Sequence, residues 1–129
     1  DAAAMQVADM QRAGVGILAG CDGMVPGFCL HEELRLFVTG GMSPAAALQT
    51  ATINPARSLG LEKTLGSVDA GKRADLVLLD ANPLDDIGNV GRIHAVILGG
   101  RLLDRQQLDA TLAVVRKQFQ SSAVNQRLQ

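Results

Sequence analysis

Residues 14–36, GVGILAGCDGMVPGFCLHEELRL, constrain the fold more than any other stretch of the chain. Val15 to Gly20 is apolar without polar alternation, which predicts a strand covered on both faces, as in a parallel sheet. Asp22 follows its carboxyl end. Helical spacing begins at Leu30 and continues through Leu34, Phe37 and Val38, so the segment reads strand, Gly/Pro loop, helix. In such a βα unit chemistry sits at the carboxyl end of the strand, the position Asp22 occupies.

The rest of the composition narrows the function classes. With 129 residues, 47% hydrophobic content and a formal charge of −1, the chain suits one soluble domain core of the common ~100–150 residue size. Twelve basic residues stand against thirteen acidic ones, and the aromatics are Phe28, Phe37 and Phe119, so nucleic acid is not an expected partner. No apolar run approaches the ~20 residues of a membrane span, and no charged-then-apolar leader opens the sequence. The expectation is a cytoplasmic protein that meets a small-molecule substrate and no membrane. Cys21 and Cys29 are too few for a disulfide framework and lack C-x-x-C spacing, which predicts two free thiols.

In chain order, residues 1–12 read as a helix capped by Asp1 and closed by Gly14, feeding directly into the strand. An opening in mid-pattern, without a methionine, points to a chain that begins inside something larger. After the helix containing His31 to Val38, Gly40-Gly41 ends the periodicity. Ser43-Pro44 and Asn54-Pro55 each place an N-cap before proline, predicting short helices from Pro44 to about Thr52 and from Pro55 to Leu59. Ala45, Ala46, Ala47, Ala51 and Ala56 suit these to close packing. Beyond Leu61, Gly66-Ser67-Val68 and Ala74 to Asp80 flank the turn-rich Asp69-Ala70-Gly71-Lys72, and Ala74 to Leu79 has β character. Ala95 to Leu98 and Arg101 to Leu103 are separated by Gly99-Gly100, a two-residue hairpin signal. Asp104 to Gln107 resembles a capping box before a helix with Leu108, Leu112, Val115 and Phe119 on one face, and the polar residues 120–129 are expected to fray.

One βα unit, then helices, then short hairpins does not close a familiar fold, and a complete (β/α)8 barrel needs ~200 residues or more. Several stretches carry a resemblance: Ala19-Gly20-Cys21-Asp22, Leu30-His31-Glu32-Glu33-Leu34, Gly41-Met42-Ser43-Pro44, Asn54-Pro55-Ala56-Arg57, and Leu65-Gly66-Ser67-Val68-Asp69-Ala70-Gly71-Lys72 leading into Ala74-Asp75-Leu76-Val77 and Asn82-Pro83-Leu84. Through them the sequence resembles the carboxyl-terminal end of the metal-dependent amidohydrolase superfamily, nearest its imidazolonepropionase-like and prolidase-like branches. The resemblance implies an α/β fragment: the last βα unit and helices of a (β/α)8 barrel over 1–60, the returning strands of a small composite β-sandwich domain over 61–104, and a C-terminal helix with polar tail over 105–129. It implies Asp22 as the catalytic aspartate and as a metal ligand. The cofactor implied is a divalent metal, zinc in one or two ions, whose histidine and carboxylated-lysine or glutamate ligands belong to earlier strands absent from this chain. Cys21 departs from the Thr or Ser usual before that aspartate.

On the residues alone, Asp22 reads equally as a loop cap, since Asp is common in turns. Next to a metal, which lowers the pKa of bound water from 15.7 to ~7, a carboxylate can take the water's proton and pass it to a departing nitrogen. The activity that the resemblance implies is hydrolysis of a C–N bond in an amide, cyclic amide or dipeptide-like substrate, with the fragment alone inactive. A deaminase in the same fold and a non-catalytic piece that associates with a second copy through exposed apolar faces are the alternatives. A private metal site of Asp22, Cys29 and His31 is conceivable, but buried thiols and a helix-start histidine explain those residues more simply. Glu32 and Glu33 read as first-turn residues that favour the helix dipole. Asp80-x-Asn82-x-x-Asp85-Asp86 reads as a solvated turn, and His94 as a partly buried histidine.

Overall fold

The computed structural model describes residues 2–21 and 28–126, with side chains through residue 118. Helix α1 spans Ala2–Arg12, α2 Cys29–Thr39, α3 Pro44–Thr50 and α4 Ile53–Ser58; strands β1 (Leu76–Leu79), β2 (Ile93–Leu98) and β3 (Arg101–Leu103) follow, with a 3-10 turn at Ile87–Gly91 between the first two, and α5 covers Arg105–Gln126. The proposed Asp1 cap lies outside the described residues.

Helices α1, α2 and α4 stop by the same local device. The amides of Val15, Met42 and Leu61 donate to Met10, Phe37 and Ala56, while those of Gly14, Gly41 and Gly60 donate to Gln11, Val38 and Arg57. Each glycine has positive φ, +87°, +108° and +70°, a region where a side chain would clash with its own backbone. Helix α3 begins as the Ser43-Pro44 pair predicts, with Ser43 Oγ accepting from the Ala46 amide at 3.1 Å. Helix α4 differs: it starts at Ile53, and Asn54 does not cap it. The Asn54 amide instead donates to the Ile17 carbonyl at 3.1 Å.

That bond bears on the largest departure from expectation. Val15 to Gly20 is not a strand, because a strand exists only as one side of a hydrogen-bonded ladder and the described residues offer it none. It is pinned at points instead, by Asn54 on Ile17 and by the Ala19 amide on the Thr50 carbonyl at 2.9 Å. Ile17 and Ala19 pack against the helices while Val15 and Leu18 stay exposed.

The helical core is built from Ala8, Leu34, Phe37, Met42 and Ala47, closed by Ile87 and Val90 from the 3-10 turn. Burying Leu34 and Phe37 contributes about 1.5–3 kcal/mol each. Ala47 and Ala56 are fully buried, as close helix packing requires, but Ala45 faces solvent. Thr50 satisfies its buried hydroxyl by donating to the Ala47 carbonyl at 2.6 Å.

The three strands form one antiparallel sheet in the order β1-β2-β3, with Leu76 opposite Ile97 and Leu98 opposite Arg101. Gly99 and Gly100 both have positive φ, as a type I′ hairpin turn requires. Asp75 secures the turn, its Oδ1 accepting from the Gly99 amide at 2.6 Å. Gly66 to Val68 is loop rather than strand. Its role is that of a latch: Lys72 Nζ donates to the Glu62 carbonyl at 2.6 Å and to Ser67 Oγ, and pairs with Asp69 at 3.2 Å. The Ser67 hydroxyl, and then Lys72, hold the Asp69 carboxyl below its ordinary range.

Asp104 and Gln107 form the expected capping box, with side chain to backbone bonds of 2.9 and 3.1 Å in the two directions. Helix α5 then runs to Gln126, beyond the point where the polar tail was expected to fray. Among the described residues no helix is long and apolar enough to cross a membrane.

Helices α1 and α2 meet at Gly40, where an added Cβ would overlap the Ala4 backbone carbonyl. Gly40→Ala is expected to cost about 1–3 kcal/mol by urea denaturation. Gly91→Ala, where a Cβ meets nothing within 4 Å, serves as the neutral comparison.

Candidate active site

The extended segment ends at Gly20-Cys21 and α2 begins at Cys29, so this is where the sequence puts Asp22. Asp22 itself lies outside the described residues. The groups around its two flanks are described, and two of them differ from the sequence expectation.

Cys21 and Cys29 are joined in a disulfide rather than left as free thiols, their Cα atoms 6.1 Å apart. That separation is within the range a disulfide spans. The spacing of eight positions gives no C-x-x-C signal, so no local motif marks the pair. The pairing also removes Cys29 from the conceivable site with Asp22 and His31, because a disulfide sulfur is not a thiolate ligand.

Glu32 behaves as expected, in the first turn of α2 with Arg35 Nη1 donating to it at 3.4 Å. Glu33 does not. It stands in the second turn, partly buried beside Leu34, and its Oε2 is buried with no hydrogen-bond partner among the described residues. Burial pushes the Glu33 carboxyl above its ordinary value of 4.5, and the Gly20 N–H, directed at the carboxylate, opposes that in part. The signal was present in the sequence: Leu30, Glu33, Leu34 and Phe37 recur at the spacing of one helical face, so Glu33 interrupts the apolar stripe.

The remaining candidates are structural. His94 is exposed rather than partly buried, its Nδ1 2.9 Å from Asp80 Oδ1. The acidic stretch after β1 is a turn, with Asp86 Oδ1 accepting from the Gly88 amide at 2.7 Å and Asn82 Oδ1 from the Leu84 amide at 3.1 Å. His31 lines an open groove of about 710 Å³ between α2, β2 and α5, with Phe28, Arg35, Arg105 and Leu112. Among the described residues no group of three or more His, Cys, Asp or Glu side chains could hold a metal ion. The described side chains therefore do not by themselves fit a resident metal.

With Cys21 and Cys29 paired, thiol titration of the denatured chain is expected to find none before reduction and two after it. The raised Glu33 pKa has a consequence for stability as well. The folded state holds this proton more tightly than the unfolded state, so stability falls as pH rises from about 4.5 through the folded value. Denaturation across that window should show a decline that Glu33→Gln flattens.

Comparison with known proteins gives consistent results. A family model described as "Amidohydrolase family" matches residues 3–103. The chain is 35% identical to an imidazolonepropionase of Shouchella clausii over 113 residues, covering 74% of this chain and 25% of that one. It is 31% identical to an adenine deaminase of Methanothrix thermoacetophila over 102 residues, covering 73% and 18%. Among solved structures, a Xaa-Pro dipeptidase with bound methionine in its active site aligns at 32% identity with a TM-score of 0.70, over 78% of this chain and 25% of the other. The chain thus spans a quarter or less of the length of these relatives.

Proposed function

The chain belongs to the amidohydrolase family, and on that premise we propose that it is the carboxyl-terminal part of a metal-dependent hydrolase acting on C–N bonds. In this reading residues 1–60 supply the last βα unit and helices of a (β/α)8 barrel, with Val15 to Gly20 becoming a strand only where the rest of the barrel provides its hydrogen-bonded ladder. Residues 61–104 supply the returning strands of a small β-sandwich, and residues 105–129 a terminal helix. The observation that carries the reading is the continuous family match over residues 3–103, which spans Asp22 immediately after the extended segment. Exposed Val77, Leu98 and Leu102 on the sheet fit the same reading, as apolar surface for the rest of the protein or a second copy to cover.

A divalent metal, zinc in one or two ions, would be held by Asp22 together with ligands from polypeptide outside this chain, and would supply an activated water there. The role of this chain is to move a proton. The Asp22 carboxylate takes one from the attacking water and delivers it to the departing nitrogen, so that one water is divided between the two ends of the broken C–N bond. For this Asp22 must sit at a fixed place, and the segment before it is fixed by the Thr50 carbonyl and the Asn54 amide.

The substrate class is an amide, a cyclic amide or a dipeptide. Similarity to an adenine deaminase keeps deamination as the second reading. The test assays the full-length protein with a methionyl-proline dipeptide, imidazolonepropionate and adenine. Turnover of one of the first two supports the amide reading, and ammonia release from adenine alone replaces it with deamination. Asp22→Asn is expected to lower turnover by about 10²–10⁴-fold, the usual share of general acid–base catalysis. Near-normal turnover would remove Asp22 from the mechanism.

A further inference from the structure

We propose that Cys21 and Cys29 form a reversible redox lock: a dithiol reductant opens the bond in the folded protein, and opening it frees the first turn of α2 from the extended segment. The lock goes beyond the hydrolase reading and does not depend on which reaction the protein catalyses.

The bond joins the end of the segment from Val15 to the first residue of α2. The segment itself is held further back, at Ile17 by Asn54 and at Ala19 by the Thr50 carbonyl. The start of α2 has no such support. Phe28 stands at its N-cap position without a side-chain hydrogen bond to the first amides, and the first fully buried residue of the helix is Leu34. The disulfide is therefore the covalent hold on a turn that capping and core packing leave weak. A staple that serves stability alone is most effective across a long loop and out of reach of other thiols. This one spans only eight positions, and Cys21 is exposed while Cys29 is half-buried. Exposed disulfides are the labile, exchangeable ones.

The difference in exposure sets the direction of exchange. A thiolate of the reductant reaches the exposed Cys21 sulfur, forms a mixed disulfide there and displaces Cys29 as a thiolate. That leaving group sits in the first turn of an 11-residue helix, whose unpaired N–H groups favour negative charge. Glu32, the acidic side chain of the same turn, is engaged by Arg35 at 3.4 Å. The second thiol of the reductant then attacks its own sulfur in the mixed disulfide and releases Cys21. Two electrons pass to the pair, the dithiol becomes a disulfide, and its two protons end on Cys21 and Cys29. A small disulfide such as oxidised glutathione runs the exchange in reverse. Phe28, His31 and Glu32 on the freed turn line the groove facing β2 and α5, so opening the lock loosens one wall of that groove.

The test uses the full-length folded protein, with dithiothreitol as the dithiol, oxidised glutathione as the oxidant, and alkylation followed by peptide mass spectrometry to count thiols at Cys21 and Cys29. Both cysteines are expected to become alkylatable at a rate within about 10-fold of that in the urea-unfolded chain, and to pair again with oxidised glutathione. Early in the reaction with reduced glutathione, a monothiol, the mixed disulfide should appear on Cys21 and the free thiol on Cys29. Reduction should quicken amide hydrogen exchange about 10-fold at Glu32, Glu33 and Leu34, whose N–H groups close the first turns of α2. The Ala47 amide of α3, bonded to the Ser43 carbonyl, should not change. Cys21→Ser and Cys29→Ser should each show the faster α2 exchange without reductant; if a serine variant does not fold, the reduced parent protein supplies the same measurement. Two free thiols under oxidised glutathione overturn the proposal, as does a pair that is reduced only after unfolding. Unchanged exchange at Glu32 to Leu34 after reduction overturns it as well, because the bond then holds nothing. Faster exchange at Ala47 to the same extent overturns it in favour of a staple for the whole fold. A mixed disulfide found first on Cys29 overturns the order of attack.

Discussion

The run from Val15 to Gly20 is held by hydrogen bonds to helices that come later in the chain, and the candidate site follows from how that is done. The Thr50 carbonyl takes the Ala19 amide, and the Asn54 side chain donates to Ile17. Both anchors depend on α3 and α4 being close together and correctly turned, which in turn depends on the buried Ala47, Thr50 and Ala56. Small side chains at these positions let the backbone come near enough for a carbonyl and a short amide to reach across. A larger residue at Ala47 or Ala56 would push the helices away from the segment that leads to the site.

What could be read from the sequence was local. Gly14, Gly41 and Gly60 end helices through bonds that reach back three to five positions, so the information lies beside the structure it determines. The same holds for Ser43-Pro44, for the Asp104-Gln107 box and for the Gly99-Gly100 hairpin. What could not be read depended on distant partners. Val15 to Gly20 has the composition of a strand, but composition cannot supply the neighbouring strand that a ladder needs. Asn54 has the identity of a cap, and its side chain instead serves a carbonyl 37 positions earlier. Nothing next to Asn54 announces that choice.

The site shows the same division more sharply. Asp22 is marked by its place after an apolar run, a feature the sequence displays directly. Cys21 and Cys29 are paired across eight positions, a relation that no local motif displays. Glu33 could have been singled out, because its spacing falls with Leu30, Leu34 and Phe37, but a charge in the opening turns of a helix has an ordinary electrostatic explanation that fits Glu32 and conceals the difference between the two. The resemblance carried the identity of the family, and the hydrogen-bonding left open by burial carried the distinction between neighbouring glutamates.

Ile87 and Val90 reach out of the connection between β1 and β2 and close the helical core on Phe37, Leu34 and Met42. The sheet and the helices are therefore not independent modules joined by a tether: the β-rich half supplies two of the plugs that keep water from the α-helical half. A disturbance that loosens the sheet would open the helical interior in the same cooperative event, and the anchors on the segment before Asp22 would be released with it.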